Sequence, residues 1–358
     1  MEVAVRLSRR AVAAPNPGVG CVIVRDGQII GRGWTGRGGR PHAEVRALEQ
    51  AQAIAGEKLR GATAYVTLEP CCHHGKSPPC TDALIQVGIT RVVIACEDPY
   101  HEVNGGGIAA LKQAGIMVET VIGEAIAREQ HTGFFTRIHK RRPLVTLKLA
   151  STLDGRIAAQ PGVQTLITGE AARRHMHGLR RQHDAIMIGS GTVRADDPLL
   201  TCRLPGLEGD SPLRVVVDGR LRLSPESQLA KTAKQVPVLV FTASENKQRR
   251  EALVKQGVEI CNVDTDAEGK ILIRTVLRLL AERGVNRVLA EGGAALAASL
   301  LGAGCVDRVA WYHAGMLLGE KGVSAVATLP EDVLLPRLEP MDVCTLKADR
   351  YTLYKAIS

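Results

Sequence analysis

The 358-residue sequence is poor in aromatic side chains, with three Phe, two Trp and five Tyr, 3% of the chain. Its cores must be mostly aliphatic, and it offers no aromatic set on which successive nucleobases stack. No apolar run approaches the ~20 residues of a membrane span. No secretory leader is evident; the basic N-terminal stretch carries a helical stripe of Ala4, Leu7, Ala11 and Val12 and reads as a first helix. The second half has no G-x-G-x-x-G, so a Rossmann dinucleotide fold is not supported there. The net charge of +9 comes from scattered basic residues with only short runs such as Lys140-Arg141-Arg142. Such a charge speaks to non-specific association, and it suits a small phosphorylated ligand better than a nucleic acid.

What is present is a pair of short segments that must meet in space. His42-Ala43-Glu44 is an H-x-E, and Pro70-Cys71-Cys72-His73-His74-Gly75-Lys76-Ser77-Pro78-Pro79-Cys80 is a P-C closing on a later P-P-C. His42, Cys71 and Cys80 supply one imidazole and two thiolates. Three protein ligands leave the fourth tetrahedral position open, which marks a catalytic zinc (Zn2+) site. An H-x-E with paired cysteines is the signature of zinc nucleobase deaminases, whose glutamate moves protons without binding the metal; Glu44 takes that role. Cys72 and His74 are also ligands by chemistry alone, but Cys71 at a strand end and Cys80 at a helix start are better placed. A non-catalytic zinc scaffold would show a closed four-ligand site. Thiols given to a metal imply a reducing compartment, here the cytoplasm. Cys21, Cys96, Cys202, Cys261, Cys305 and Cys344 read as buried free thiols.

Periodicity places helices at 2–13, 42–55, 79–87, 107–114 and 123–138, and strands at 19–24, 28–34, 62–68, 91–96 and 116–122, with a hairpin at Asp26-Gly27. That order implies a largely parallel sheet between helix layers. On a helix, His42 and Glu44 point about 200° apart, so the first turn must lie beside the pocket. Lys140-Arg141-Arg142-Pro143 is a charged, proline-stopped joint, giving domains of 1–142 and 143–358. The second half reads as another α/β domain, with strands at 144–150, 185–188, 214–217, 236–241, 258–263 and 287–290. Helices start after Thr168-Gly169 and cover 244–256, 270–283 and 294–301, and nothing is assigned beyond. Glu291-Gly292-Gly293, between a strand and a helix, suits a phosphate in principle, as does Gly189-Ser190-Gly191.

Several words of the first half carry a family resemblance: Pro15-Asn16-Pro17, Val19-Gly20-Cys21-Val22-Ile23-Val24, His42-Ala43-Glu44-Val45, Tyr65-Val66-Thr67-Leu68-Glu69-Pro70-Cys71, His73-His74-Gly75-Lys76, Pro78-Pro79-Cys80 and Asp98-Pro99. They resemble the bifunctional riboflavin-biosynthesis deaminase/reductase family, whose long H-H-G-K-x-P-P-C insertion sets it apart from deaminases with the shorter C-x-x-C. The resemblance implies a cytidine-deaminase-like three-layer fold and a phosphorylated pyrimidine substrate, a pyrimidine ribosyl phosphate. By matching position it implies Asn16, His73, Lys76 and Asp98 as substrate contacts, with Lys76 on the phosphate. Two positions depart from the family: Cys72 stands where it usually has serine, and Tyr100 where it has asparagine.

Leu147-Lys148-Leu149-Ala150-Ser151, Leu153-Asp154-Gly155-Arg156, Thr192-Val193, Asp196-Asp197-Pro198 and Glu291-Gly292-Gly293 are similar to the family's reductase domain, which is dihydrofolate-reductase-like. The implied reaction is hydride transfer from NADPH to C1′ of the ribosyl group. By matching position, Ser151, Leu166, Thr192, Asp196, Gly219 and Gly293 would contact the dinucleotide. Gln164, Arg180, Leu200, Arg203 and Glu291 would contact substrate, Arg180 and Arg203 suiting a phosphate through their guanidinium forks. Lys148 would lie near the reacting carbon; its ordinary alternative is a surface lysine on a strand, and that of Asp196 and Asp197 a turn before Pro198. Where the family has Ser-x-Trp-Ile-Thr, this chain has Gln164-Thr165-Leu166-Ile167-Thr168, which predicts weakened cofactor binding. The expected whole is a two-domain α/β enzyme, a homodimer or tetramer acting in sequence on one small-molecule intermediate, with no nucleic-acid or membrane partner. The alternative is a deaminase whose reductase-like domain is inactive or structural.

Overall fold

A computed structural model describes residues 1–75, 77–163, 165–329 and 336–357. The expected contacts Lys76 and Gln164 lie outside the described residues. The chain divides into two compact units, Met1–Arg141 and Arg142–Ser358.

The first unit runs α1 (Glu2–Ser8), β1 (Gly20–Arg25), β2 (Gln28–Trp34), α2 (Ala43–Ala55), β3 (Thr63–Val66), α3 (Cys80–Gln86), β4 (Arg91–Ile94), α4 (Gly106–Gln113), β5 (Met117–Thr120) and α5 (Glu124–Lys140). Its sheet has the order β2-β1-β3-β4-β5. β1 is antiparallel to both neighbours, while β3, β4 and β5 are parallel. The sheet is thus half antiparallel, where the pattern implied a largely parallel one. Asp26 and Gly27, with φ of 49° and 74°, turn β2 back on β1, and the α2 crossover then returns β3 parallel to β2 with β1 between them. Helices cover both faces: Cys21 and Ile23 of β1 pack with Ala43, Ala47 and Ala51 of α2, and Val22 packs with Ala4 and Leu7 of α1.

α1 ends at Ser8, short of the expected residue 13. Arg10 and Ala11 leave it through tighter i→i−3 bonds to Leu7 and Ser8, and the Val12 carbonyl accepts from the Gly38 N–H at 3.1 Å. Gly31-Arg32-Gly33-Trp34-Thr35-Gly36 spells the dinucleotide pattern G-x-G-x-x-G but begins in β2. Its glycines serve packing: a Cβ on Gly31 would sit 2.2 Å from the Ala47 carbonyl oxygen, and one on Gly33 2.0 Å from that of Ala43.

The second unit runs β6 (Leu144–Thr152), β7 (Arg156–Ala158), α6 (Glu170–Arg181), β8 (Ala185–Gly189), α7 (Ser190–Asp196), β9 (Leu213–Val217), α8 (Gln228–Lys231), β10 (Val238–Thr242), α9 (Lys247–Lys255), β11 (Glu259–Asn262), α10 (Ile273–Glu282), β12 (Arg287–Ala290), α11 (Ala294–Gly302), β13 (Arg308–Ala314), β14 (Val323–Ser324), β15 (Arg337–Leu346) and β16 (Asp349–Ile357). A nine-stranded sheet has the order β11-β10-β9-β8-β12-β6-β13-β16-β15, antiparallel only where β16 pairs with β13 and β15. Alternate residues feed two aliphatic cores: Met187 and Val215 face one side, Ile186, Ile188 and Val216 the other. α7, where only a glycine loop was read, and the strands after residue 301 extend the expected pattern. β15 is an edge strand with mostly exposed residues, so it lacks the hydrophobic alternation by which strands are read. All nine cysteines are free; Cys21, Cys96, Cys202 and Cys305 are buried, but Cys261 and Cys344 only partly. Among the described residues no helix is long and apolar enough to cross a membrane.

Gly33→Ala forces α2 away from β2, and overpacking of this kind costs about 1–3 kcal/mol. The expected result is a lower urea midpoint for the first unit, followed by Trp34 fluorescence in a Trp311→Phe background. An unchanged midpoint would show that the helix–strand approach tolerates a methyl group.

Candidate metal centre and a second cavity

In the first unit three segments deliver His42, Cys71 and Cys80 to one point, with their ligand atoms all within 4.8 Å of one another. His42 is the N-cap of α2, with extended backbone at φ −68° and ψ 158°. It therefore lies outside the helix, and the about 200° divergence expected for two helical residues does not apply. Its Nδ1 stands 3.2 Å from Cys80 Sγ and 3.6 Å from Cys71 Sγ. Cys71 follows the turn after β3, and Cys80 opens α3 with its N–H on Cys71 Sγ at 3.4 Å. A hydrogen bond from the Cys80 thiol, followed by contacts with His42 and the Cys80 N–H, lowers the Cys71 thiol to about 4 against the opposing effect of burial. Cys80 is pushed up, first by sharing its proton with Cys71 and then by burial. Bonding to Cys71 raises His42.

Glu44, in the first turn of α2, is 4% exposed. Burial raises its carboxyl to about 7, Cys71 adds to the rise, and His42 opposes it. Glu44, His42 and Cys71 open on a cavity of about 320 Å³ whose walls include Asn16, His73, Asp98 and Tyr100. Burial raises Asp98 to about 6, and its Oδ1 accepts the Tyr100 N–H at 2.8 Å. His73 Nδ1 is buried without a hydrogen-bond partner among the described residues. The two other chemically eligible ligands turn elsewhere: Cys72 Sγ approaches the Glu102 carbonyl at 3.8 Å, and His74 faces Asp82 at 3.9 Å.

Sequence reasoning passed over Arg40, Arg137, Glu102 and Glu69, which also line this cavity. The Glu69 carboxylate accepts N–H groups from Asp98, Gly105 and Ile108 at 3.2, 3.0 and 3.0 Å. It ties the turn before Cys71 to the loop bearing Asp98 and Tyr100. The signal available was a glutamate just before Pro70-Cys71, but the direction of its side chain is set by folding.

In the second unit a cavity of about 450 Å³ opens beside β6 and β12, lined by Lys148, Leu166, Arg180, Thr192, Asp196, Leu200, Arg203, Glu291 and Gly293 among others. Lys148 is half-buried, with Nζ 5.8 Å from the Tyr312 ring centre. Burial lowers its pKa while Glu291 opposes that fall; the surface-lysine reading is excluded. Thr192 Oγ1 accepts the Gly293 N–H at 3.1 Å, joining α7 to the glycine loop and using one of the donors expected to meet a phosphate. Asp197, with φ 36°, ends α7 and takes the Gln228 N–H on Oδ1 at 2.9 Å, and both Asp196 and Asp197 line the cavity.

Arg180 does not offer a free fork. Its Nε and Nη2 reach the two Glu291 oxygens at 2.7 and 2.8 Å, and Nη1 reaches the Thr201 carbonyl at 3.0 Å. Three of its five N–H donors are thus taken within the protein, its paired edge by Glu291, while the side chain still lines the cavity; Arg203 is exposed at the rim. Ser151 and Gly219 stand off the cavity wall. Ser151 is fully buried and accepts the Trp311 indole N–H at 2.8 Å, and Gly219 follows β9 beside Ile271. Leu166 is 71% exposed.

Two family descriptions match the chain: the cytidine and deoxycytidylate deaminase zinc-binding region over residues 1–96, and the RibD C-terminal domain over residues 143–351. It is 40% identical over 322 residues to the riboflavin biosynthesis protein RibD of Aquifex aeolicus, covering 89% of this chain and 87% of that one. With the Escherichia coli protein of the same name it shares 39% over 343 residues, 92% and 90% of the two chains. Acinetobacter baumannii RibD has a similar structure, with a TM-score of 0.88 at 37% identity over 100% of this chain and 98% of that one. So has a Thermotoga maritima diaminohydroxyphosphoribosylaminopyrimidine deaminase/5-amino-6-(5-phosphoribosylamino)uracil reductase, with a TM-score of 0.86 at 35% identity over 100% and 97%. The chain belongs to the RibD family and is a bifunctional enzyme of riboflavin biosynthesis, a deaminase followed by a reductase.

Proposed function

We propose that the first unit deaminates 2,5-diamino-6-(5-phosphoribosylamino)pyrimidin-4(3H)-one using zinc held by His42, Cys71 and Cys80. The second then reduces the ribosyl group of 5-amino-6-(5-phosphoribosylamino)uracil with NADPH. The observation that carries this reading is a nitrogen and two sulfurs converging beside a buried glutamate at a cavity wall. The three donors fit zinc: bond lengths of about 2.0 Å to nitrogen and 2.3 Å to sulfur in a tetrahedron put N and S about 3.5 Å apart, against 3.2 and 3.6 Å here. When bound, zinc supplies a Lewis acid that makes water nucleophilic near neutral pH.

Glu44 takes the first proton of the attacking water at a carboxylate oxygen and gives it to the ring nitrogen, then takes the proton of the hydroxyl so formed and gives it to the amine, which leaves as ammonia. Its burial suits both tasks, because it keeps the proton affinity high. Asn16, His73 and Asp98 orient the pyrimidine, and Lys76 takes the phosphate. In the second unit NADPH supplies hydride to C1′. Lys148 holds a proton for the oxygen that leaves C1′ as the ring opens, and Glu291, fixed by Arg180, opposes the fall in proton affinity that burial imposes on Lys148. Leu200 and Arg203 face the substrate, Arg203 on its phosphate; Thr192, Asp196 and Gly293 face the dinucleotide, with Ser151 and Gly219 acting from behind or beside it.

The purified chain, given the diamino substrate and NADPH, is expected to release ammonia and consume NADPH in equal amounts. Glu44→Gln is expected to lower ammonia release by about 10²–10⁴-fold while NADPH is still consumed when the deaminated intermediate is supplied. Full ammonia release by Glu44→Gln would remove Glu44 from the chemistry, and ammonia without NADPH consumption would sink the active reductase.

Cys80→Ser is expected to lose the zinc measured by atomic emission, whereas Cys72→Ser keeps one zinc per chain. The reverse pattern would replace one ligand with the other.

Leu166→Trp restores the wide apolar surface that the family places at the rim and is expected to lower the KM for NADPH severalfold with deamination unchanged. A constant KM would show that the rim residue does not touch the cofactor.

A further inference from the structure

Arg214, on β9, is a fully buried cation with no carboxylate against it among the described residues. Among the described residues every hydrogen bond of its guanidinium ends on a neutral oxygen. Nη1 donates to the Leu199 carbonyl at 3.1 Å and to Thr232 Oγ1 at 2.7 Å; Nη2 donates to the Thr232 carbonyl at 3.0 Å and to the Val236 carbonyl. Nε has no partner among the described residues. Burial alone lowers its pKa, to about 10, which leaves it charged at neutral pH. Desolvating a guanidinium without a counter-ion is costly, so the arrangement calls for something gained by holding those oxygens in place.

Leu199 belongs to the segment between α7 and β9 that forms one wall of the reductase cavity through Pro198, Leu199, Leu200 and Arg203. Three alternate carbonyls of that segment are held by side chains. Asp197 O takes Gln228 Nε2 at 2.6 Å, Leu199 O takes Arg214, and Thr201 O takes Arg180 at 3.0 Å and His177 at 3.2 Å. Leu200, between two of these anchors, has φ 53°, a left-handed backbone that a leucine adopts only when its surroundings impose it.

We propose that Arg214 is a positioning residue for the reduction: by fixing the Leu199 carbonyl it imposes the left-handed turn at Leu200, which aims Leu200 and Arg203 at the substrate. The inference rests on the assignment of those two residues to the substrate. A lysine cannot reproduce the hold, because one ammonium cannot span carbonyls that a planar fork reaches on two sides. The turn binds ground state and transition state alike, so its loss appears in KM and not in kcat.

The test uses the full chain with Arg214→Lys, Thr232→Val and Arg203→Ala. Thr232→Val removes one anchor of the guanidinium at a residue that does not line the cavity. The reductase is assayed with 5-amino-6-(5-phosphoribosylamino)uracil and NADPH, each varied in turn, and the deaminase of the same chain is assayed alongside. Arg214→Lys is expected to raise the KM for the pyrimidine about tenfold, the loss of one charged hydrogen bond, with kcat within about twofold. The KM for NADPH and both deaminase constants stay unchanged, and Thr232→Val moves the same constant less. Should Arg214→Lys fail to fold, Thr232→Val decides by the same criterion. An unmoved pyrimidine KM in the folded variants, with Arg203→Ala raising it, overturns the role of Arg214 alone. An unmoved KM in Arg203→Ala overturns the substrate assignment and this inference with it. A fall in kcat without a change in KM overturns the positioning role.

Discussion

A nitrogen and two sulfurs must arrive within 4.8 Å of one another, the sulfurs nine residues apart and the nitrogen 29 residues before the first of them, and the first unit is built to permit it. Two glycines of β2 let the backbone of α2 lie close enough for His42 to reach inward from its N-cap. The Thr81 N–H and hydroxyl both hold the Cys71 carbonyl, at 3.2 and 3.3 Å, so the start of α3 is tied to the end of β3. Glu69 collects three N–H groups and fixes the opposite wall. The positive ends of two helices point at the same place, which favours thiolate over thiol, in line with the low pKa of Cys71. A metal cation there would act on Glu44 in the opposite sense to burial, so proton affinity at Glu44 reflects a balance between the two.

The second cavity depends on a different constraint. Arg180 and Glu291 form a two-pronged pair with side chains each 6% exposed. Burying two charges gains little net stability, but it settles geometry: the pair sets the field felt by Lys148 and holds the Thr201 carbonyl. Its presence also separates two arginines that look equivalent in sequence. One has its paired edge on Glu291, and the other, Arg203, is exposed on the rim.

What could be read from the sequence follows from how local each signal is. The zinc motif was legible because metal chemistry admits few ligand types and the residues carry their roles in their identity. The hairpin at Asp26-Gly27 was legible because a two-residue turn with positive φ selects those residues. The end of α1 was not, because the chain leaves it through i→i−3 bonds at Arg10 and Ala11 that an apolar stripe does not signal. The true position of His42 was not, because an N-cap differs from a helical residue only in its backbone angles. Nor could the sequence show that Arg180 was spoken for: Glu291 is 111 residues away. The antiparallel edge formed by β15 hides for a further reason, since a strand exposed on most of its residues has no apolar alternation to betray it.

The surplus of positive charge has a structural origin that composition cannot express. Several arginines here end on backbone carbonyls: Arg46 on Trp34, Arg173 on Thr168, Arg250 on Ser244, and Arg214 on three at once. A guanidinium offers five donors in a fixed plane, so one side chain can close a turn or join two loops where a chain richer in aromatics would pack a ring. Each such clamp adds a cation without calling for an acidic partner. A chain with 46 basic and 37 acidic residues thus reaches +9 partly through the way it holds its own loops. Charge alone is therefore a poor guide to what this protein binds, and the informative cations are the few, such as Arg203, that the fold leaves facing a cavity.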